Sequence, residues 1–226
     1  MLPSTTTSFD AVIEPRAGVW DNGGQAGNEV SSRFSTFSTL LYESHVDNLP
    51  ILGKVGFGMN ISVPLEDGLL PDRFGKYSPE DLRKDGNNIN SFPVCIEGVP
   101  AAAKSLALTF VDYDSVPVCG FVWIHWAACG IDPATKSIPE GASHSGSFAF
   151  TQGANSCLSR ADETSRDVIN GYIGPCPPDK NHRYTLCVSA LDCELELPEG
   201  FYFNDLHWAM EGHVLDSATL NIESRA

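Results

Sequence analysis

The chain has 226 residues, with 14 Lys and Arg against 29 Asp and Glu, which sets a formal charge of −15. Duplex DNA and anionic bilayers are held by clustered basic side chains that displace counterions, so this balance argues against nucleic acid and against an electrostatic membrane anchor. Hydrophobic residues at 42% with a mean hydropathy of −0.11 are enough for one sizeable core of globular composition.

Residues 1–45 are rich in Ser, Thr, Gly and Asn and are expected to form an irregular N-terminal extension, with residues 46–226 as a single domain. Met1-Leu2-Pro3-Ser4 and the threonines after it show neither the basic nor the apolar region of a Sec-type leader. Strands are predicted at Lys54–Val63, Ser105–Asp112, Phe121–Ile131, Arg183–Leu191 and Thr219–Ile222, each rich in Val, Ile, Phe or Thr and bounded by turn residues. A short helix is predicted to open at Ser78-Pro79-Glu80-Asp81, with Ser78 as cap. A longer one is predicted over Asn204–Asp216, capped by Asn204, with Leu206, Met210 and Val214 on its buried face.

Parallel winding needs helices between successive strands, and almost none are visible. The fold class is therefore all-β, an antiparallel β-sandwich with few short helices. The longest apolar run, Phe121 to Ile131, is about 11 residues and carries His125, too short to span a bilayer. The seven cysteines are odd in number, form no Cys-x-x-Cys pair and mostly lie in apolar runs. They read as buried thiols of a reducing cytoplasm, not as disulfides or a zinc site.

Several polar residues stand in segments apolar enough to be buried. Asp112 and Asp114 end a predicted strand, and alternation places both carboxylates on one side with Tyr113 on the other. His125 lies within Phe121-Val-Trp-Ile-His-Trp-Ala-Ala-Cys and shares a face with Trp123 and Ala127 by the same rule. His182 and Tyr184 share a face at the start of a strand, with Arg183 opposite as a structural partner for a carboxylate or loop carbonyl. An imidazole donates from both nitrogens near neutral pH, and an adjacent Asp fixes its tautomer and favours its charge. Two such histidines make a small anion socket, and the prolines of Gly174-Pro-Cys-Pro-Pro stiffen its rim. His182 reads as a rim residue, so its loss is expected to lower anion affinity more than stability. His207 and His213, six apart on the predicted helix, point to different faces and do not make a metal pair.

The chain resembles the phosphatidylethanolamine-binding protein family, and within it the bacterial Raf-kinase-inhibitor-like branch. The resemblance rests on Asp112-x-Asp114, His125-Trp126, Gly174-Pro-Cys-Pro-Pro, His182-Arg-Tyr184 and Ala190-Leu-Asp192, with supporting matches spread over residues 55–222. It implies two antiparallel sheets, a C-terminal helix and one pocket for anionic groups, lined by Asp112, His125, Pro177, Pro178, His182 and Tyr184. Asp114 is counted with them as a ligand-binding candidate. The family's Asp-Pro-Asp-Ala-Pro turn is replaced here by Asp112-Tyr-Asp-Ser-Val-Pro117, with a tyrosine for the first proline and one residue extra.

The preferred functional expectation is a non-catalytic protein without cofactor or metal. Its pocket takes phosphate or a phospholipid head group such as phosphoethanolamine, with His125 and His182 donating and Asp112 orienting one of them. The alternatives are a regulator that inhibits a kinase or protease, and a hydrolase or metal-dependent enzyme using the Asp and His cluster.

Overall fold

Among the described residues, short apolar segments separated by Gly, Pro and Asn become ten strands, and every strand pair is antiparallel. The structure, a computed structural model, describes residues 58–226. The expected extension over residues 1–45 and the first part of the predicted strand Lys54–Val63 lie outside the described residues. In chain order the strands are β1 (Asn60–Ser62), β2 (Arg83–Lys84), β3 (Asn87–Asn88), β4 (Val94–Glu97) and β5 (Ser105–Asp112). They continue as β6 (Trp123–Ile131), β7 (Ser137–Ile138), β8 (Thr151–Gln152), β9 (His182–Leu191) and β10 (Val214–Ser224). Four short helices intervene: α1 (Val116–Cys119), α2 (Ala142–Ser145), α3 (Arg166–Ile169) and α4 (Phe203–Met210).

Five strands form one sheet in the order β10-β9-β5-β6-β8, and three form another in the order β1-β4-β7. The main core lies between them. Ile61, Val94, Ile96 and Ile138 of the smaller sheet meet Leu106, Leu108, Phe110, Trp126, Leu186 and Val188 of the larger one. The other face of the larger sheet carries Ala107, Ala127, Cys129 and Leu191, which pack under Phe201 and Leu206 of the α4 region. With both faces covered, β5 is buried at seven of its eight positions, which is why it reads as a continuous apolar run instead of an alternating one.

Helix prediction at the C-terminal end is corrected by the structure. Asp205 reaches back to accept from Tyr202 N at 2.9 Å, so α4 starts at Phe203 and Asn204 lies inside its first turn. It stops at Met210, and Gly212 at φ +80° turns the chain into β10. Val214 continued the helical spacing by coincidence: it is the first residue of a strand and 46% exposed. The predicted helix at Ser78 shrinks to one 3-10 turn, Glu80–Leu82, because the chain then enters the β2–β3 hairpin. Asp85 (φ +50°) and Gly86 (φ +72°) form the tip of that hairpin, the pair of left-handed residues that a tight two-residue turn requires.

The cysteine expectation also needs correction. All seven thiols are free, but Cys129 and Cys157 alone are fully buried, whereas Cys95, Cys119 and Cys176 are exposed.

Phe92 is the hub of the core. Its ring meets Phe74, Phe110, Trp126 and Tyr172 edge-on at centroid distances of 6.2, 5.1, 6.3 and 5.6 Å, and the side chain is fully buried. Edge-to-face pairs add to the area term, and removing the ring leaves a cavity walled by rigid aromatics that cannot collapse. Phe92→Ala is expected to lower the unfolding free energy by about 3–5 kcal/mol in urea titrations. A loss below about 1 kcal/mol would show that the surrounding rings do not depend on it.

Candidate functional site

A cavity of about 380 Å³ opens at the end of the larger sheet where β5 stops and β9 begins. Its lining includes Asp112, His125, Pro177, Pro178, His182 and Tyr184, six of the seven residues singled out in the sequence. Asp114 is not among the lining residues. It is half-buried beyond the end of β5, and its Oδ2 accepts from the backbone N of Arg183 at 3.0 Å, which ties the β5–β9 edge together. The backbone of Arg183, not its exposed guanidinium, is thus the partner expected for a carboxylate.

Strict alternation would send His125 to the helix-covered face with Ala127. In the β5–β6 ladder Phe110 pairs with Trp126 and Val111 with Ile124, so His125 is the extra residue of a bulge. The bulge re-aims the imidazole into the main core, where it sits 5.7 Å from the Phe110 ring and 5.1 Å from the Tyr184 ring. Ala127 stays on the α4 side, so the expected grouping of His125 with Ala127 is wrong and that with Trp123 holds. His125 and Ile173 then clamp each other: Ile173 N donates to His125 O at 2.9 Å, and His125 Nδ1 lies 2.8 Å from Ile173 O. A carbonyl can only accept, so Nδ1 carries the proton and the Nε2 lone pair is left as an acceptor. Burial holds the His125 pKa down to about 4, leaving the ring neutral at physiological pH.

His182 is the opposite case. Its Nδ1 lies 2.7 Å from Asp112 Oδ2 and its Nε2 2.9 Å from Asp179 Oδ1. Burial alone would lower its pKa, but hydrogen bonds to Asp112 and then Asp179 outweigh this and raise it above the ordinary value. With 1% of its side chain exposed it is not the rim residue that the sequence suggested. Both of its nitrogens are committed, and neutral His125 donates elsewhere, so the expected pair of donating imidazoles is not formed. Asp112 does orient one histidine, as expected, while its Oδ1 accepts from Ser115 N at 3.2 Å. Tyr184 stays protonated, since burial and then the nearby Asp112 carboxylate push its phenol far up.

The altered turn after Asp112 is rebuilt around Ser115. Its hydroxyl lies 2.7 Å from Asp112 O and 2.8 Å from Phe121 O, and it accepts from Trp123 N at 2.9 Å. The residues between become α1, with Pro117 in its first turn and Gly120 at φ +90° closing it. Val118 and Cys119 of this turn form one lip of the cavity.

Sequence reasoning missed the cations. Lys76, Arg83 and Arg160 all line the cavity, the first two from one stretch seven residues apart and Arg160 from a distant one. Lys76 Nζ donates to Pro177 O at 3.0 Å, fastening the proline turn. Arg83 Nε donates to Ser78 O and Oγ at 3.1 Å, and the Arg160 guanidinium lies 5.4 Å from the Trp123 ring centre. Each keeps donors to spare. The Asp85-Gly86 dipeptide, a strong hairpin signal, was the one cue that could have placed Arg83 and Asn88 here. Gly174 fits its place because a Cβ there would come within 2.7 Å of Phe74 O and 2.8 Å of Asn88.

The architecture is an antiparallel sandwich with a cavity at one end of its larger sheet, lined by polar and apolar side chains together. A family model described as phosphatidylethanolamine-binding protein matches residues 60–225, and the chain belongs to that family. The uncharacterized protein YxkA of Bacillus subtilis is 44% identical over 168 residues, covering 74% of this chain and 99% of its own length. A UPF0098 protein of Methanothermobacter thermautotrophicus is 38% identical over 144 residues, 63% of this chain and 86% of that protein. Among solved structures, the phosphatidylethanolamine-binding protein homologue CT736 of Chlamydia trachomatis superposes with a TM-score of 0.61 at 28% identity, covering 75% of this chain and 98% of that one. Escherichia coli YbcL shares the fold with a TM-score of 0.59 at 21% identity, covering 75% and 99%.

Removing the His182 ring leaves the Oδ2 of buried Asp112 without its partner. His182→Ala is therefore expected to cost about 3 kcal/mol of stability in denaturant titrations. A near-neutral effect would show that water replaces the bond. Because the folded pKa of His182 is raised, its contribution is complete below the unfolded value and fades as pH rises through the folded one.

His125 acts in the other direction. Its folded pKa is depressed from 6.5 to about 4. Its unfolded form therefore binds the extra proton, and stability falls as pH drops through that window, by about 3 kcal/mol in all. His125→Asn, which keeps a donor for Ile173 O, is expected to flatten this acid limb in thermal unfolding between those two pH values. An unchanged slope would assign acid sensitivity to other groups.

Proposed function

We propose that the protein is a non-catalytic binding protein of a reducing, cytoplasmic compartment whose cavity takes a small phosphate-bearing anion, such as a phosphoethanolamine head group. The observation that carries the reading is the concentration of Lys76, Arg83 and Arg160 around one cavity in a chain of charge −15. Anions are held there by charge-assisted hydrogen bonds over short range, against an unfavourable long-range field. The Nε2 lone pair of neutral His125 and the Tyr184 hydroxyl supply one acceptor and one donor for the remaining polar atoms of a head group. His182, with Asp112, is a fixed wall of the cavity. Among the described residues no helix is long and apolar enough to cross a membrane. A Raf-kinase-inhibitor-like role toward a kinase or protease is supported by the family relation alone, so the pocket reading is preferred.

Titration with phosphate and with phosphoethanolamine, followed through the histidine NMR signals, tests this. Shifts at His125 and His182 at millimolar ligand are expected, and Arg160→Ala is expected to weaken binding roughly tenfold, the worth of one charge-assisted bond. Absence of any shift at either ring would remove the anion reading.

A further inference from the structure

At the opposite end of β9 from the cavity stands a second cluster with chemistry of its own. Asp192, Cys193 and His213 each present a ligating atom, and these atoms all lie within 4.8 Å of one another. We propose that they form a binding site for a divalent transition-metal ion of the zinc class. Nine residue steps of extended strand lead from His182 to Leu191, so the cluster is roughly 30 Å from the cavity and independent of the function assigned to it.

The backbone makes the site. Leu191 pairs with Val214 at the end of the β9–β10 ladder, and Asp192 N donates to His213 O at 3.0 Å one step further on. The two side chains thereby face each other, with His213 Nδ1 2.8 Å from Asp192 Oδ1. Cys193 is anchored by its own carbonyl, which accepts from Ser105 Oγ at 2.6 Å at the start of β5. Three ligands are thus held by three strands before any ion arrives, and both Asp192 and His213 are about half exposed, which leaves an approach from solvent.

The donor set selects the ion. One thiolate, one imidazole and one carboxylate suit a borderline-soft ion better than calcium or magnesium, which take oxygen ligands. Tetrahedral zinc keeps its ligand atoms roughly 3.2–3.8 Å apart, from bonds of about 2.0–2.3 Å. Side-chain rotations of about an ångström bring the ligand atoms into that range, opening the 2.8 Å contact between His213 and Asp192 and closing the wider separations, with water in the fourth position. Coordination replaces the Cys193 S–H bond by a metal–sulfur bond and releases one proton. The local charge helps: residues 192–199 hold Asp192, Glu194, Glu196 and Glu199 and no Lys or Arg, so the field that opposes an anion at the cavity favours a cation here.

Sequence spacing conceals the site because Asp192 and Cys193 open the connection between β9 and β10 and His213 ends it. The experiment is cobalt(II) titration of the tag-free, reduced full chain, with cobalt as the spectroscopic stand-in for zinc. One equivalent is expected to raise a thiolate-to-cobalt charge-transfer band that zinc(II) abolishes. The band is expected to vanish in Cys193→Ser and to persist in Cys95→Ser, which removes an exposed thiol elsewhere. His213→Gln is expected to weaken cobalt binding at least tenfold. Zinc is also expected to raise the thermal midpoint of the parent chain and not of His213→Gln, since only the folded ladder brings residues 192 and 213 together. No charge-transfer band in the parent chain, or one that survives in Cys193→Ser, would overturn the proposal.

Discussion

The buried bond between Asp112 and His182 is the constraint on which the cavity end of this fold depends. Neither group is tolerable there alone: a carboxyl at 5% exposure and an imidazole at 1% each need a hydrogen-bond partner to be buried without a loss of stability. Paired at 2.7 Å, and with Asp179 on the second nitrogen of His182, they lock the end of β5 to the start of β9. Asp112 also orders the turn that follows, through Ser115 N, so the lip formed by α1 is built on the same carboxylate. The wall of the cavity and its stability are one structure.

Two histidines a few ångströms from Tyr184 are thus held in opposite protonation states. His125 faces an apolar core and a carbonyl, which leaves it neutral; His182 faces two carboxylates, which charge it. The consequence is a cavity that offers an acceptor at one wall and cationic donors at its rim. Net charge and local charge have separate roles. In a chain with an excess of carboxylates, Lys76, Arg83 and Arg160 gather around the cavity, while at the far end of the sheet Asp192, Cys193 and His213 stand in an acidic stretch.

Much of the fold was legible along the chain, because strands that bury both faces announce themselves as apolar runs. Ser105–Asp112 is reproduced residue for residue, and the strand predicted at Arg183–Leu191 gains only His182. The misplacements have local causes. Val214 kept the spacing of a helix that Gly212 had already ended, and the Asp85-Gly86 turn converted a presumed helix into a hairpin. The cavity residues were legible as polar side chains in apolar surroundings, but their roles were not. A one-residue bulge decided where His125 points, and the depth of His182 followed from what packs over it.

By itself the sequence determined the antiparallel sandwich, the acidity, and which polar side chains would be trapped near its core, since these follow from composition and from patterns a few residues long. Tertiary structure alone decided which charges meet. Arg160 joins Lys76 and Arg83 from more than seventy residues further along the chain, and Asp192, Cys193 and His213 meet across a ladder that closes a connection of about twenty residues. Electrostatic interaction depends on distance in space and on burial, and neither is a property of position along the chain.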